Sequence, residues 1–244
     1  MASKKKLLQA AAGSAGGAGL DVDEVFSPFL YTTDGTSSKT ITNNIDLSGE
    51  GGLAWLKSRS ISYSHSLYDT ERGVQKQLQT DATTAESTET GGLTAFTSTG
   101  FTIGNVQNQS ALGDMVSWTF RKAPKFFDVV TYTGTGVART VSHNLNSEVG
   151  MIIVKQTSGA RDWEVYHREI YPTNLSLSGH FKINLNKTDA RSNEANIWND
   201  TAPTSTEFTV GSDNATNSNG ETYVAYLFAH NNSDGEFGPD SDQD

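Results

Sequence analysis

Val116-Ser-Trp-Thr-Phe120 and Val224-Ala-Tyr-Leu-Phe228 decide the fold of this chain, because the second restates the first 108 residues later. The same correspondence runs backwards through the sequence. Phe101-Thr-Ile-Gly104 returns as Phe208-Thr-Val-Gly211, and Leu53-Ala-Trp-Leu-Lys57 as Met151-Ile-Ile-Val-Lys155. Tyr68 returns as Tyr166, Thr40-Ile-Thr-Asn-Asn-Ile45 as Thr140-Val-Ser-His-Asn-Leu145, and Tyr31-Thr-Thr-Asp-Gly35 as Tyr132-Thr-Gly-Thr-Gly136. The blocks keep their order while the offset drifts slowly, which is the signature of an internal repeat. Between Tyr68 and Phe101 the first copy is shorter than the second is between Tyr166 and Phe208. The extra length is rich in Asn, and loops are where repeats are free to differ.

The pattern within each block is a strand pattern. Short runs rich in Val, Ile, Thr, Tyr and Phe are bounded by Gly, Asn, Asp, Ser and Thr clusters. The predicted strands are Thr40–Ile45, Gly52–Ser58, Phe101–Ile103, Met115–Arg121, Phe127–Tyr132, Arg139–Val141, Gly150–Lys155, Trp163–Tyr166, His180–Leu185, Glu207–Val210 and Thr222–Ala229. No stretch beyond residue 20 keeps a helical apolar stripe for three turns. The expected fold is therefore all-β: two tandem homologous antiparallel β-sandwich domains, preceded by a short N-terminal helix and a Gly/Ala tether. The expected divisions are 1–20, 21–123, 124–232 and 233–244, with Lys122-Ala-Pro-Lys125 as the boundary between copies. The last segment is an acidic tail or a linker to further repeats.

Composition narrows the function classes. The chain has 244 residues, with 35% hydrophobic and 19% charged, and 55 of its residues are Ser or Thr. So low an apolar content argues against the single large core of an α/β enzyme. Cysteine is absent, so disulfides, thiolate metal sites and cysteine nucleophiles are excluded. No apolar run approaches the roughly 18 residues of a membrane span. The net charge is −10, and an acidic body repels phosphate, so nucleic acid is not an expected partner. The opening segment breaks that acidity: Lys4, Lys5, Lys6, Leu7 and Leu8 begin a short helical peg, followed by the Gly/Ala string of residues 13–19. The apolar part is too short for a secretory signal. A helix this short needs a docking partner to be stable, so these five residues are the predicted particle-anchoring contacts.

The chemistry-bearing residues are sparse. His65, His143, His167, His180 and His230 show no metal-ligand spacing, and neither a metal nor a cofactor is expected. Asp240-Ser-Asp-Gln-Asp244 lacks the central glycine and distal glutamate of a calcium loop. The best carboxylate pair is Asp162 with Glu164. Alternation along a strand puts them on one face, with Trp163 and Val165 inward on the other and the acids in water. The matching first-copy segment, Ser64-His-Ser-Leu-Tyr68, has no carboxylate. No catalytic residue is assigned and no enzymatic activity is expected. Trp55 and Trp118 read as core positions. Trp198 lies outside any predicted strand, in the Asn-rich loop of the second copy. With Asn193, Asn196 and Asn199 it forms the candidate ligand contact.

Several blocks resemble a family of large virion structural proteins from marine tailed phages, including cyanophages. They are Trp55-Leu-Lys-Ser-Arg59, Tyr68-Asp-Thr-Glu-Arg-Gly73, Gly100-Phe-Thr-Ile-Gly104, Ser117-Trp-Thr-Phe-Arg-Lys122 with Pro124-Lys-Phe-Phe-Asp128, Arg161-Asp-Trp-Glu-Val-Tyr-His167 and Tyr223-Val-Ala-Tyr-Leu-Phe228. The resemblance covers roughly residues 20–240. It implies a tail fibre or other appendage of the virion, with sandwich domains threaded in series and no established active site. Its partners would be other virion proteins, bound through the N-terminal segment, and further copies of the chain, with a trimer favoured. Apart from the resemblance, a host surface glycan is a candidate further partner. The alternatives are a capsid-attached fibre or decoration protein, a carbohydrate-binding adhesion module, and a glycan-cleaving enzyme.

Overall fold

The computed structural model describes residues 20–170 and 181–230. The anchoring residues Lys4, Lys5, Lys6, Leu7 and Leu8, His180 and the acidic tail lie outside them. The first copy begins with a single helical turn, α1 (Val22–Val25), and continues through β1 (Phe26–Thr32), β2 (Ser38–Thr42), β3 (Gly52–Ser58), β4 (Ser66–Asp69), β5 (Lys76–Gln77), β6 (Ser87–Thr88), β7 (Leu93–Thr97), β8 (Gly100–Gly104) and β9 (Asp114–Arg121). The second copy contains β10 (Phe127–Thr133), β11 (Arg139–Ser142), β12 (Val149–Gln156), β13 (Glu164–His167), β14 (Phe181–Asn184), β15 (Ser192–Asn193), β16 (Glu207–Val210) and β17 (Thr222–Ala229). Two more helical turns, α2 (Ala195–Trp198) and α3 (Asn214–Asn217), flank β16.

The repeat read from sequence is a repeat of strand order and register. One sheet of the first copy runs β1-β9-β3-β4, and the matching sheet of the second runs β10-β17-β12-β13, extended by β14 and β15. Opposite them lie β2-β8-β7 and β11-β16. All pairs are antiparallel. Trp55 pairs with Trp118 where Ile153 pairs with Tyr226. Tyr31 pairs with Met115 where Tyr132 pairs with Tyr223. Ile41 pairs with Phe101 where Val141 pairs with Phe208. Turn chemistry is local: at Gly52 (φ +153°) an added Cβ would lie 2.0 Å from the Phe120 carbonyl, so only glycine lets β3 start there.

Three hydrophobic cores follow from the alternation of side chains. Ala54, Leu56, Tyr68, Phe101, Ile103 and Met115 fill the first sandwich. Ile152, Val154, Tyr166, Phe208, Tyr223 and Ala225 fill the second, together with Ile197 and Trp198. The third core lies between the copies. Leu53 and Leu67 on the outer face of the first copy meet Phe127, Val129, Ile153, Val165, Val224 and Tyr226 of the second. The chain thus stacks four β layers, and the copies share a buried face in addition to the linker between them. This is why Met151-Ile-Ile-Val154 and Tyr223-Val-Ala-Tyr-Leu-Phe228 are apolar without alternation: both faces of these strands are covered.

An ion network crosses this inner boundary. Arg72 places Nε 2.6 Å from Asp69 Oδ2 and Nη1 3.2 Å from Glu86 Oε2. The Tyr226 hydroxyl, from the other copy, donates to the same Asp69 oxygen at 2.7 Å. Burial holds the Tyr226 phenol neutral by pushing its pKa well up. Burial alone would lower the pKa of Arg72, but the Tyr226 hydroxyl and the Asp69 and Glu86 carboxylates hold it above the ordinary range. A buried charge set of this kind is stable only with every partner present. Lys122, at the linker, spans the copies more loosely, 2.7 Å from Glu71 and 3.4 Å from Asp128.

Candidate functional site

Trp163 organises the walls of a cleft between the two copies. It sits immediately before β13, fully buried in the core between the copies. Its indole Nε1–H is shared between the carbonyls of Gln79 (3.0 Å) and Ala82 (3.1 Å), which fixes a first-copy loop. Its backbone N–H donates to Asn186 Oδ1 at 3.0 Å, and its carbonyl accepts from the Leu185 N–H at 3.1 Å, which fixes a second-copy loop. Asp162 completes the second loop, accepting from Asn186 Nδ2 at 2.9 Å and pairing with Lys187 at 2.7 Å. Burial alone would raise the Asp162 pKa, but Lys187 and Asn186 hold it below the usual carboxylate value.

The two loops form the walls of a cleft of about 330 Å³. Thr80 and Asp81 line it from the first copy, and Leu185, Asn186, Lys187 and Thr188 from the second, with Trp55 and His65 between. Trp55 Nε1–H donates to His65 Nδ1 at 2.8 Å, leaving the second ring nitrogen of a neutral His65 as a donor. Burial lowers the His65 pKa, so the imidazole is neutral at pH 7. Its backbone N–H donates to Asp81 Oδ1 at 3.3 Å. Trp118 meets Trp55 edge-on at 6.0 Å and Trp55 meets His65 at 5.8 Å, so three aromatic rings run across the strands into the cleft. The arrangement combines an aromatic wall with separate donors and acceptors, held by loops that are themselves hydrogen-bonded.

The expected ligand contacts fall differently. Trp198 is 2% exposed, packed edge-on to Tyr166 at 6.1 Å within the second core. Its indole cannot stack on an external ring, and the expectation that it contacts ligand is corrected. The loop around it winds into α2, which turns Ile197 and Trp198 inward and leaves Asn193, Asn196 and Asn199 exposed, with Asn199 in a left-handed conformation as the C-cap. Trp55 and Trp118, read as core, are half-buried on the outer sheet face, where Trp55 packs against the core between the copies. The sequence carried one signal for them: their second-copy counterparts, Ile153 and Tyr226, are not tryptophan.

Glu164 was expected in water and is 2% exposed, its carboxylate 3.0 Å from Lys182. Burial raises its pKa while Lys182 opposes the rise. The Asp162–Glu164 pair therefore has the opposed shifts of an acid and its ionised partner. Glu164 is nonetheless sealed beneath Lys182, where a substrate cannot reach it. Among the described residues no group of three or more His, Asp or Glu is placed to hold a metal ion, and no helix is long and apolar enough to cross a membrane.

The DUF7483 family, described as a domain of unknown function, matches residues 21–239. The chain belongs to the DUF7483 family. The matched range spans both copies of this chain. No curated protein and no solved structure matches the chain.

Proposed function

We propose that this DUF7483 chain is a structural component of a tailed-phage virion, an appendage or tail-fibre protein anchored through its N-terminal segment and carrying its β-sandwiches for attachment to the host. The observation that carries the reading is the third core. Two copies joined only by a linker would pivot about it, whereas Leu53, Leu67, Ile153, Val165 and Tyr226 bury a common face and the Asp69–Arg72–Tyr226 network ties it. A stacked pair of this kind suits a part that transmits force between a particle and a surface. The block resemblance to virion structural proteins and the basic N-terminal sequence ahead of an acidic body support the same reading. A capsid-attached fibre or decoration protein would use the same architecture.

Immunogold electron microscopy of purified particles, with antibody raised against residues 21–244, tests the proposal. Label at the tail is the expected result. Label over the head would make the protein a capsid fibre or decoration protein. Absence of label, with the epitopes intact on blots, would overturn the reading. Deleting residues 1–19 is expected to leave the folded pair unable to join particles.

A further inference from the structure

We infer that the cleft between the copies, walled by Trp55, His65, Asp81 and Lys187, is a binding site for an uncharged saccharide chain. Four observations lead there. The aromatic row Trp118–Trp55–His65 lies across neighbouring strands on an outer sheet face and is half-buried, so ring faces and edges remain available to a ligand lying across the sheet. Sugar rings present apolar C–H faces, which favour aromatic surfaces, and a hydroxyl rim, which needs donors and acceptors nearby. The cleft supplies both: the second ring N–H of neutral His65, the Asp81 carboxylate, the Lys187 ammonium and the Thr188 hydroxyl. Its volume, about 330 Å³, is at the small end of ligand sites, roughly 300–1,000 Å³. Its walls are held in place before any ligand arrives, because Trp163 and Asp162 fix both loops, and preorganisation lowers the ordering cost of binding.

Charge excludes the neighbouring ligand classes. Lys187 is already neutralised by Asp162 at 2.7 Å, Asp81 adds a negative charge, and the whole chain is at −10, so a phosphate, sulfate or uronate chain is repelled. A purely apolar ligand would strand the polar groups of the walls without partners. The matched row in the second copy, Tyr226–Ile153–Trp163, shows what this face looks like when protein covers it: Tyr226 and Ile153 stand where the first copy has its two tryptophans, Trp163 stands in place of His65, and all three are buried.

The site deepens the attachment role proposed above but is tested on the free full-length chain, so its failure and that of the particle assignment are separable. The probes are linear tetrasaccharides of glucose, galactose, mannose and N-acetylglucosamine, with a sulfated galactan as the anionic comparison, titrated while tryptophan fluorescence is followed. At least one uncharged probe is expected to give a saturable change and the galactan none. Trp55→Ala and, separately, the surface change Asp81→Asn should each weaken binding by about tenfold or more, with Asp81→Asn leaving the melting temperature unchanged. The proposal is overturned if none of the four tetrasaccharides binds saturably, or if Asp81→Asn and Trp55→Phe both bind as tightly as the parent. It is equally overturned if no sugar binds and Trp118→Ala turns a larger assembly into single chains by sedimentation, because the row would then be a contact between copies.

Discussion

His65 and Trp163 occupy the same place in the two copies, immediately before matching strands, and do opposite things. Trp163 is wholly buried and donates to two carbonyls of the other copy. His65 is half-buried at the open cleft and accepts one bond from Trp55. The difference teaches that duplication fixed the strand frame while the packing of one copy on the other gave each face its chemistry. The second copy surrendered its outer face to the shared core, and the first kept part of its own open. Each matched pair of residues is thus an internal control, alike in backbone and unlike in burial.

The largest effects belong to the covered side of the comparison. Trp163→Ala should cost about 3–5 kcal/mol in urea unfolding, as large aromatic truncations in cores do. His65→Ala at the matched position should cost about 1 kcal/mol, the scale of one hydrogen bond. Asp69→Ala should cost a further comparable amount, about 3–5 kcal/mol, because it leaves the Arg72 charge buried with one partner fewer. Equal costs at Trp163 and His65 would mean that the copies do not share a core in solution.

Much of this frame was legible beforehand. Gly52–Ser58, Glu207–Val210 and Thr222–Ala229 begin and end as read, and all six repeat blocks lie on corresponding strands or strand ends. β1, β4 and β7 were not legible as strands: Phe26–Thr32 is interrupted by Pro28, and Ser66–Asp69 and Leu93–Thr97 are short and mix polar with apolar residues, while β5, β6 and β15, two residues each, carry no pattern at all. Trp198 was misread because a single turn of helix offers too few residues to show a period. The cleft was not legible at all. Its two walls are 105 residues apart at Thr80 and Leu185, and the alternation of a strand says which residues share a face without saying what covers that face.

Lys57 and Lys155 make a second matched pair. Lys155 is buried, donating to the carbonyls of Gln156 (2.7 Å), Gly159 (3.2 Å) and, across the boundary, Thr83 (3.3 Å). Burial lowers its pKa to about 8, with Asp162 opposing the shift. The sign follows from proton counting. Between about pH 8 and the ordinary lysine range near 10.5 the unfolded chain holds a proton that the folded chain has released. Raising the pH through that window therefore favours the folded state, and the penalty is fully present below it. Unfolding free energy measured across this window should rise less steeply in Lys155→Met than in the parent. Lys57→Met keeps Lys155 and should keep the parental slope. A slope unchanged in Lys155→Met would place the amine in water.

The smallest effect is expected on the edge strand. Leu30, in β1, is 59% exposed, and the matched residue in β10 is the exposed Thr131. Leu30→Thr imports the second copy's residue into the first. Both side chains suit a strand, the position faces solvent, and Pro28 already discourages pairing along this edge. The change should stay within about 0.5 kcal/mol and be independent of protein concentration. If instead the loss is larger and shrinks on dilution, Leu30 is covered in solution by another chain. The first copy's outer face would then be only partly open, ending at the aromatic row and closed along β1.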